Sequence, residues 1–145
     1  MKPIINDITT SFEDPPEFVE AKKLNPKRDY SYPREFIEKQ KSYYPLDPLK
    51  LPLSLDDSFN LIKIVAQAQP RWKIVSADQN RRSIEAIVTT KFFRFKDDVV
   101  IEVRQGIEGQ TEIQMRSKSR LGKGDLGTNY LRIKKFFDQV QLRSS

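Results

Sequence analysis

The sequence predicts an α+β fold, in which a four-stranded antiparallel meander carries two helices on one face and follows an extended, proline-rich N-terminal arm. Three observations support this prediction. Eight of the nine prolines fall at or before Pro52, whereas all five glycines fall at or after Gly106. Beyond the arm, four segments alternate apolar and polar residues as strands do. Two amphipathic segments with the period of a helix flank those strands.

Residues 1–53 are expected to form the arm. Proline fixes φ and removes a backbone donor, so a segment rich in proline should contain little regular structure. The arm nevertheless carries seven aromatic residues, whereas disordered tails are usually poor in aromatics. We therefore expect it to wrap the folded body and bury these rings, with a short helix after Pro33.

Residues 54–145 are expected to form the body, in the order α-β-β-β-β-α within a single domain. Ser54, with an acidic residue three positions later, is typical of a helix start, and Pro70 closes that helix. Four strands are predicted at WKIVSAD, SIEAIVTTKFF, DDVVIEVR and TEIQMRS. The turns between them are short, so consecutive strands should pair antiparallel.

A final helix is predicted from about Thr128, because apolar residues recur at helical spacing from Tyr130 to Val140. Trp72 and the Phe92-Phe93 pair are expected in the core, with Phe93 facing away from Phe92 toward the arm or a ligand. The sheet face opposite the helices carries Val100 among charged neighbours, and we expect the arm to cover part of it.

Composition excludes several kinds of chemistry. The chain has no Cys and no His, which excludes disulfides, thiolate and histidine zinc centres, and Ser-His-Asp catalysis. No apolar run approaches the about 20 residues needed to span a bilayer, so the chain is expected to be soluble. The available chemistry is that of Arg, Lys, Asp, Glu, Ser, Thr and Tyr.

Positive charge is concentrated near the C-terminus. The net charge is +6, and residues 111–145 carry eight basic and three acidic residues. This asymmetry predicts one basic face rather than a uniformly basic protein. The same pattern also fits a solvated helix with a charged outer side.

The segment RSKSRLGKGDLGTNYLRI, residues 116–133, combines a glycine-rich loop with basic residues before the final helix. Such a loop can present several backbone N–H groups to one anion, and a helix N-terminus adds partial positive charge. The segment matches neither the P-loop nor the dinucleotide-binding pattern.

A structural role competes with anion binding and is preferred for most of this segment. Asp97, Asp98 and Asp125 could pair with the arginines, while Ser119 and Asn129 could cap backbone groups. Seven residues are therefore assigned to either an anion site or a structural network: Arg116, Ser119, Arg120, Asp125, Asn129, Arg132 and Asp98.

Neighbouring strand residues point to opposite faces, so Asp97 and Asp98 are not expected to form a catalytic or metal-binding pair. We expect Asp98 on the same side as Arg104 and Arg116, and Asp97 on the core side. No catalytic residue, metal site or cofactor is assigned from the sequence.

Several segments together resemble a known family. INDITTSFEDPPEF, QKSYYPLDPL, SIEAIVTT, FFRFKDDVV and the closing RSKSRLGKGDLGTNYLRI are similar to the motifs of the domain of unknown function 1499 family. The resemblance runs from Asn6 to Phe136. The resemblance implies no activity, because none is established for the family. Members of the family often carry an export signal, a lipid-attachment sequence or a membrane segment ahead of the first motif. The chain shows no secretory signal, so a cytoplasmic protein and a mature exported form both stay open.

Three functions fit the sequence. The preferred hypothesis is a non-enzymatic accessory module that binds a small apolar or anionic ligand or a protein partner. The second is an enzyme or binder acting on a phosphorylated or carboxylated small molecule at residues 116–132. The third is association with an anionic surface or nucleic acid, and no known nucleic-acid motif supports the latter.

Overall fold

The computed structural model describes residues 5–121 and 127–145, which form an α+β fold with a six-stranded sheet and four α-helices. The strands are β1 (Asp7–Thr9), β2 (Leu49–Leu51), β3 (Trp72–Asp78), β4 (Ser83–Thr89), β5 (Lys96–Gln105) and β6 (Thr111–Ser119). The helices are α1 (Glu20–Leu24), α2 (Ile37–Tyr43), which follows a 3-10 turn at Arg34–Phe36, α3 (Leu55–Gln67) and α4 (Thr128–Ser144).

The sheet has two more strands than the sequence predicted. Strands β3 to β6 pair antiparallel with their neighbours in chain order. Two short segments of residues 5–53, called the N-terminal region below, also pair with β6. Ile8 lies opposite Ser117, and Leu49 lies opposite Ile113. They complete the backbone hydrogen bonds of an edge that would otherwise be open. The expectation of four strands was therefore wrong.

The N-terminal region also contains more regular structure than its prolines suggested. Between β1 and β2 it forms α1, the 3-10 turn and α2. The short helix expected after Pro33 is present as that turn followed by α2. The boundary between an arm of residues 1–53 and a body of residues 54–145 stays a prediction.

The main hydrophobic core lies between the sheet and the helices α3 and α4. Ile62 of α3, Ile133 of α4 and Ile101 of β5 belong to one buried cluster. Helix α3 begins as predicted, because the Ser54 side chain accepts a hydrogen bond from the Asp57 N–H at 3.0 Å. Trp72 is half-buried and stacks on Phe136, with ring centroids 5.4 Å apart.

The prediction that Phe92 and Phe93 lie in the core was wrong. Their exposed fractions are 83% and 76%. Strand β4 ends at Thr89, and the Thr90 N–H donates to the Phe95 carbonyl at 2.8 Å. The chain therefore turns before the pair is reached. The alternation of apolar and polar residues continues past Thr89 into this turn, so the sequence predicted a strand that extends too far.

The opposite face of the sheet is covered by residues of the N-terminal region. Val100 is fully buried in a small cluster with Phe18, Ala21 and Tyr30. The face that carries Val100, Glu85, Asp98 and Arg116 is called the arm-side face below, and the other is the helix-side face. Of the helices formed by the described residues, none combines the length and apolarity needed to cross a bilayer.

Candidate functional site

Arg116 lies on the arm-side face and is almost completely buried. Its guanidinium donates to both oxygens of Asp7, at 2.9 and 2.7 Å, and to the carbonyls of Pro16 and Tyr30, at 3.1 and 2.8 Å. The ring of Phe18 lies 4.8 Å from the guanidinium carbon. The exposed fractions of the Arg116 and Asp7 side chains are 3% and 0%. These contacts hold the N-terminal region on the sheet, and they enclose the guanidinium.

Arg120 and Asp98 form a second ion pair on the same face. The guanidinium donates to the two carboxylate oxygens at 3.1 and 3.0 Å, and the Tyr30 hydroxyl donates to the same carboxylate at 2.9 Å. Burial and the Asp98 charge raise the pKa of Tyr30 to about 12. The hydrogen bond to Asp98 raises the pKa of Arg120 above its ordinary value. This pair therefore also fastens the N-terminal region to the sheet.

The side chain of Glu85, in β4, caps the N-terminus of α1. Its carboxylate accepts hydrogen bonds from the backbone N–H groups of Val19, Glu20 and Ala21, at 3.0, 2.7 and 2.9 Å. These are donors that the first turn of a helix leaves unpaired. Burial raises the pKa of Glu85, while the three N–H groups act in the opposite direction. The sheet thus supplies the cap that the sequence of α1 lacks.

The helix-side face carries a separate polar network. Asp97 forms an ion pair with Arg132 at 2.8 Å. Arg132 also donates to Ser117 Oγ at 3.0 Å and to Asn129 Oδ1 at 2.8 Å. The Asn129 amide donates to Ser119 Oγ at 2.9 Å. Because the five side chains come from β5, β6 and α4, the network fixes the start of α4 against two strands.

The seven residues singled out in the sequence therefore do not form one site. Alternation along β6 places Arg116 on the arm-side face with Asp98, and Arg120, which follows the strand, pairs with Asp98 there. It places Ser119 on the helix-side face, where α4 brings Asn129 and Arg132. The predicted residue Asp125 lies outside the described residues.

The ion pairs differ in part from those expected. Arg116 pairs with Asp7 rather than with Asp97 or Asp98, two of the three expected aspartates. Arg104 shares the arm-side face but pairs with Glu102 at 2.6 Å and with Asp14 at 3.6 Å. Ser119 and Asn129, expected to cap backbone groups, bond to each other through their side chains.

Sequence reasoning missed Asp7, Glu85 and Gln40. Gln40 accepts from the Thr9 N–H at 3.1 Å and donates to the Thr9 carbonyl at 2.7 Å, so its amide continues the sheet beyond β1. Glu85 carried a signal that could have been used, since a carboxylate within an otherwise apolar strand needs a buried partner. No local signal identifies the partners of Asp7 or Gln40.

A cleft of about 300 Å³ lies where the start of β3, the end of β4 and α4 meet. Four cationic residues line it: Arg71, Lys91, Arg132 and Lys135. Thr89, Thr90 and Trp72 also line it, and no acidic side chain is among its described lining residues. This surface is called the basic cleft below.

A second cleft of about 200 Å³ lies on the arm-side face, near the end of β6. Arg28, Lys118 and Arg120 line it, but so do Asp29 and Asp98. Its positive charge is therefore offset by carboxylates of its own lining. Among the described residues, the ion pair formed by a cation of the basic cleft is that of Arg132 with Asp97. Within the described parts of the chain, no three Asp or Glu side chains cluster as a metal site would require.

A family model described as a protein of unknown function, DUF1499, matches residues 7–140 of the chain. No curated protein and no solved structure matches it.

Proposed function

Since the chain belongs to the DUF1499 family, whose function is unknown, we propose from its own geometry that it is a non-enzymatic binding module that holds an anionic ligand in the basic cleft. The observation that carries the proposal is the convergence of four cationic side chains on one cleft with no acidic residue among its described lining. Clefts lined by one sign of charge concentrate oppositely charged ligands.

Three of the four cations of the basic cleft lie outside the closing motif, whereas the fourth, Arg132, belongs to it and pairs with Asp97. Arg116 and Arg120 are each bound to a buried aspartate, so their charge is neutralised within the fold. Arg71, Lys91 and Lys135 form no ion pair with any carboxylate among residues 5–121 and 127–145. Their charge is directed to solvent, where a phosphate or carboxylate group can pair with it.

The carboxylates of the fold support binding rather than catalysis. Asp7, Asp97 and Asp98 each face a guanidinium within 3.0 Å. Glu85 is occupied by three backbone N–H groups. A general base needs access to a substrate proton, and these groups are instead engaged in holding the fold together.

Trp72 provides the test, because it is the only tryptophan and lines the basic cleft. Its fluorescence is recorded while inorganic phosphate, pyrophosphate or citrate is added to the full chain at low salt. We expect a saturable change that Lys91→Gln combined with Lys135→Gln weakens strongly. The control variant, Lys22→Gln with Lys23→Gln, removes the same charge from α1 and should bind like the wild type. Equal affinities in all three proteins would contradict the proposal.

A further inference from the structure

The loop that joins β4 to β5 is both aromatic and basic. It spans residues 90–95, with the sequence TKFFRF, and Lys96 follows as the first residue of β5. The exposed fractions of Phe92, Phe93 and Phe95 are 83%, 76% and 47%. Phe93 and Phe95 stack on each other, with ring centroids 5.5 Å apart. Three neighbouring exposed phenylalanines form an apolar patch, and such patches are typical of interaction surfaces.

The loop is continuous with the basic cleft. Lys91 belongs to the loop and also lines the cleft, and its ammonium lies 5.5 Å from the centre of the Phe92 ring. Whatever covers the aromatic rings therefore lies next to the cations of the cleft. The partner must combine an apolar layer with negative charge at its edge.

We propose that this loop docks the protein on a bilayer that contains anionic lipid, with the lipid phosphate and carboxylate groups as the ligand of the basic cleft. This inference rests on the proposed function, and it adds the source of the anion. Aromatic side chains settle at the boundary between headgroups and acyl chains, while neighbouring Lys and Arg pair with anionic headgroups. The rings of the loop would enter that boundary, and Lys91, Arg94 and the cleft would stay at headgroup level.

The arrangement of the rings favours a bilayer over single-stranded nucleic acid. Binding to unpaired bases uses separate aromatic platforms, each stacking on one base. Phe93 and Phe95 instead stack on each other at an interplanar angle of 14°, so each covers one ring face of the other. Phe also has no polar group with which to contact a base edge. A bilayer requires only a compact apolar tip flanked by cations.

The test measures binding of the full chain to vesicles of phosphatidylcholine alone and of phosphatidylcholine mixed with phosphatidylserine, by cosedimentation at low salt. The loop variant is Phe92→Ser with Phe93→Ser, and the cleft variant is Lys91→Gln with Lys135→Gln. The matched control is Ile107→Ser with Leu142→Ser, which removes two other exposed apolar side chains. Pyrophosphate titration of Trp72 is measured on the same proteins.

We expect the wild type and the control to bind only the vesicles that contain phosphatidylserine. The loop variant should lose roughly tenfold or more in vesicle affinity and keep its affinity for pyrophosphate. The cleft variant should lose both. Pyrophosphate binding without any vesicle binding would overturn the docking proposal and leave the proposed function standing. Wild-type vesicle affinity in the loop variant would also overturn it. So would binding of single-stranded DNA that the loop variant loses, in a wild-type protein that binds neither kind of vesicle.

Discussion

The guanidinium of Arg116 holds the carboxylate of Asp7 through two hydrogen bonds, at 2.9 and 2.7 Å, and so joins residues that lie 109 positions apart in the chain. Asp7 belongs to β1 and Arg116 to β6, and both side chains are buried. The first residue of the closing motif therefore connects the two ends of the chain across the arm-side face.

Replacing Glu85 by Gln is expected to destabilise the fold by about 1–3 kcal/mol, because an amide NH₂ would face backbone N–H groups that now donate to a carboxylate oxygen. Urea unfolding measures the loss. Glu35→Gln, at an exposed position of the N-terminal region, is the control and should change stability little. Equal stability of the two variants would show that the carboxylate does not cap α1.

The stability of the protein is expected to fall as the pH rises from about 10 toward about 12. Burial and Asp98 raise the pKa of Tyr30 from 10.0 to about 12, so the folded protein keeps the phenol proton after the unfolded chain has released it. Proton release from the unfolded state then favours unfolding. Tyr32 also has a raised pKa, chiefly through burial, and contributes in the same direction.

Urea midpoints measured across this pH range test the effect of Tyr30. In Tyr30→Phe the decline should be shallower than in the wild type. Tyr43→Phe, at a position that is 46% exposed, should show the wild-type decline. If Tyr30→Phe had an unchanged slope, the phenol would not titrate as its buried contact with Asp98 requires.

Replacing Asn129 by Ala is expected to cost about 1–3 kcal/mol, because Ser117, Ser119 and Arg132 each lose a hydrogen-bond partner in a buried network. Gln141→Ala, on an exposed position of α4, is the matched control. Thermal unfolding of both variants provides the comparison. Neither replacement should lose stability through helix propensity, since Ala is the best helix former, so an equal loss in the control would contradict a role of the network.

Deleting residues 1–50 is expected to abolish cooperative unfolding. The deletion removes β1 and nearly all of β2 from the edge of β6, and it uncovers Val100. For the full chain, near- and far-ultraviolet circular dichroism should report one coincident transition, as a single domain requires. An unchanged melting temperature in the shortened chain would show that the N-terminal region contributes nothing to the body.

Local signals predicted the elements that they specify by themselves. The Ser54 cap set the start of α3, and the alternation of WKIVSAD set both ends of β3. The strands β1 and β2 could not be predicted, because three residues carry no periodic pattern and their formation depends on the open edge of β6.

The candidate site shows the same division. The pairing of Asp98 with Arg120 was among those expected, and it forms between β5 and the residue that follows β6. The partner of Arg116 came from the far end of the chain and had no local signal. The basic cleft was also missed, since its cations come from three separate segments of the chain. The exposure of Phe92 was missed because alternation does not reveal the turn that follows β4.

The most direct test of the structural role of the closing motif is a double-mutant cycle on Asp7 and Arg116, measured by urea unfolding of Asp7→Asn, Arg116→Met and the double variant. We expect each single replacement to cost roughly 3–5 kcal/mol, and the two losses to be strongly non-additive. The same cycle on the exposed pair of Asp56 and Arg82, 3.0 Å apart, should give a coupling of about 0–1 kcal/mol. Losses below about 0.5 kcal/mol at Asp7 and Arg116 would contradict a structural role for Arg116 in the closing motif.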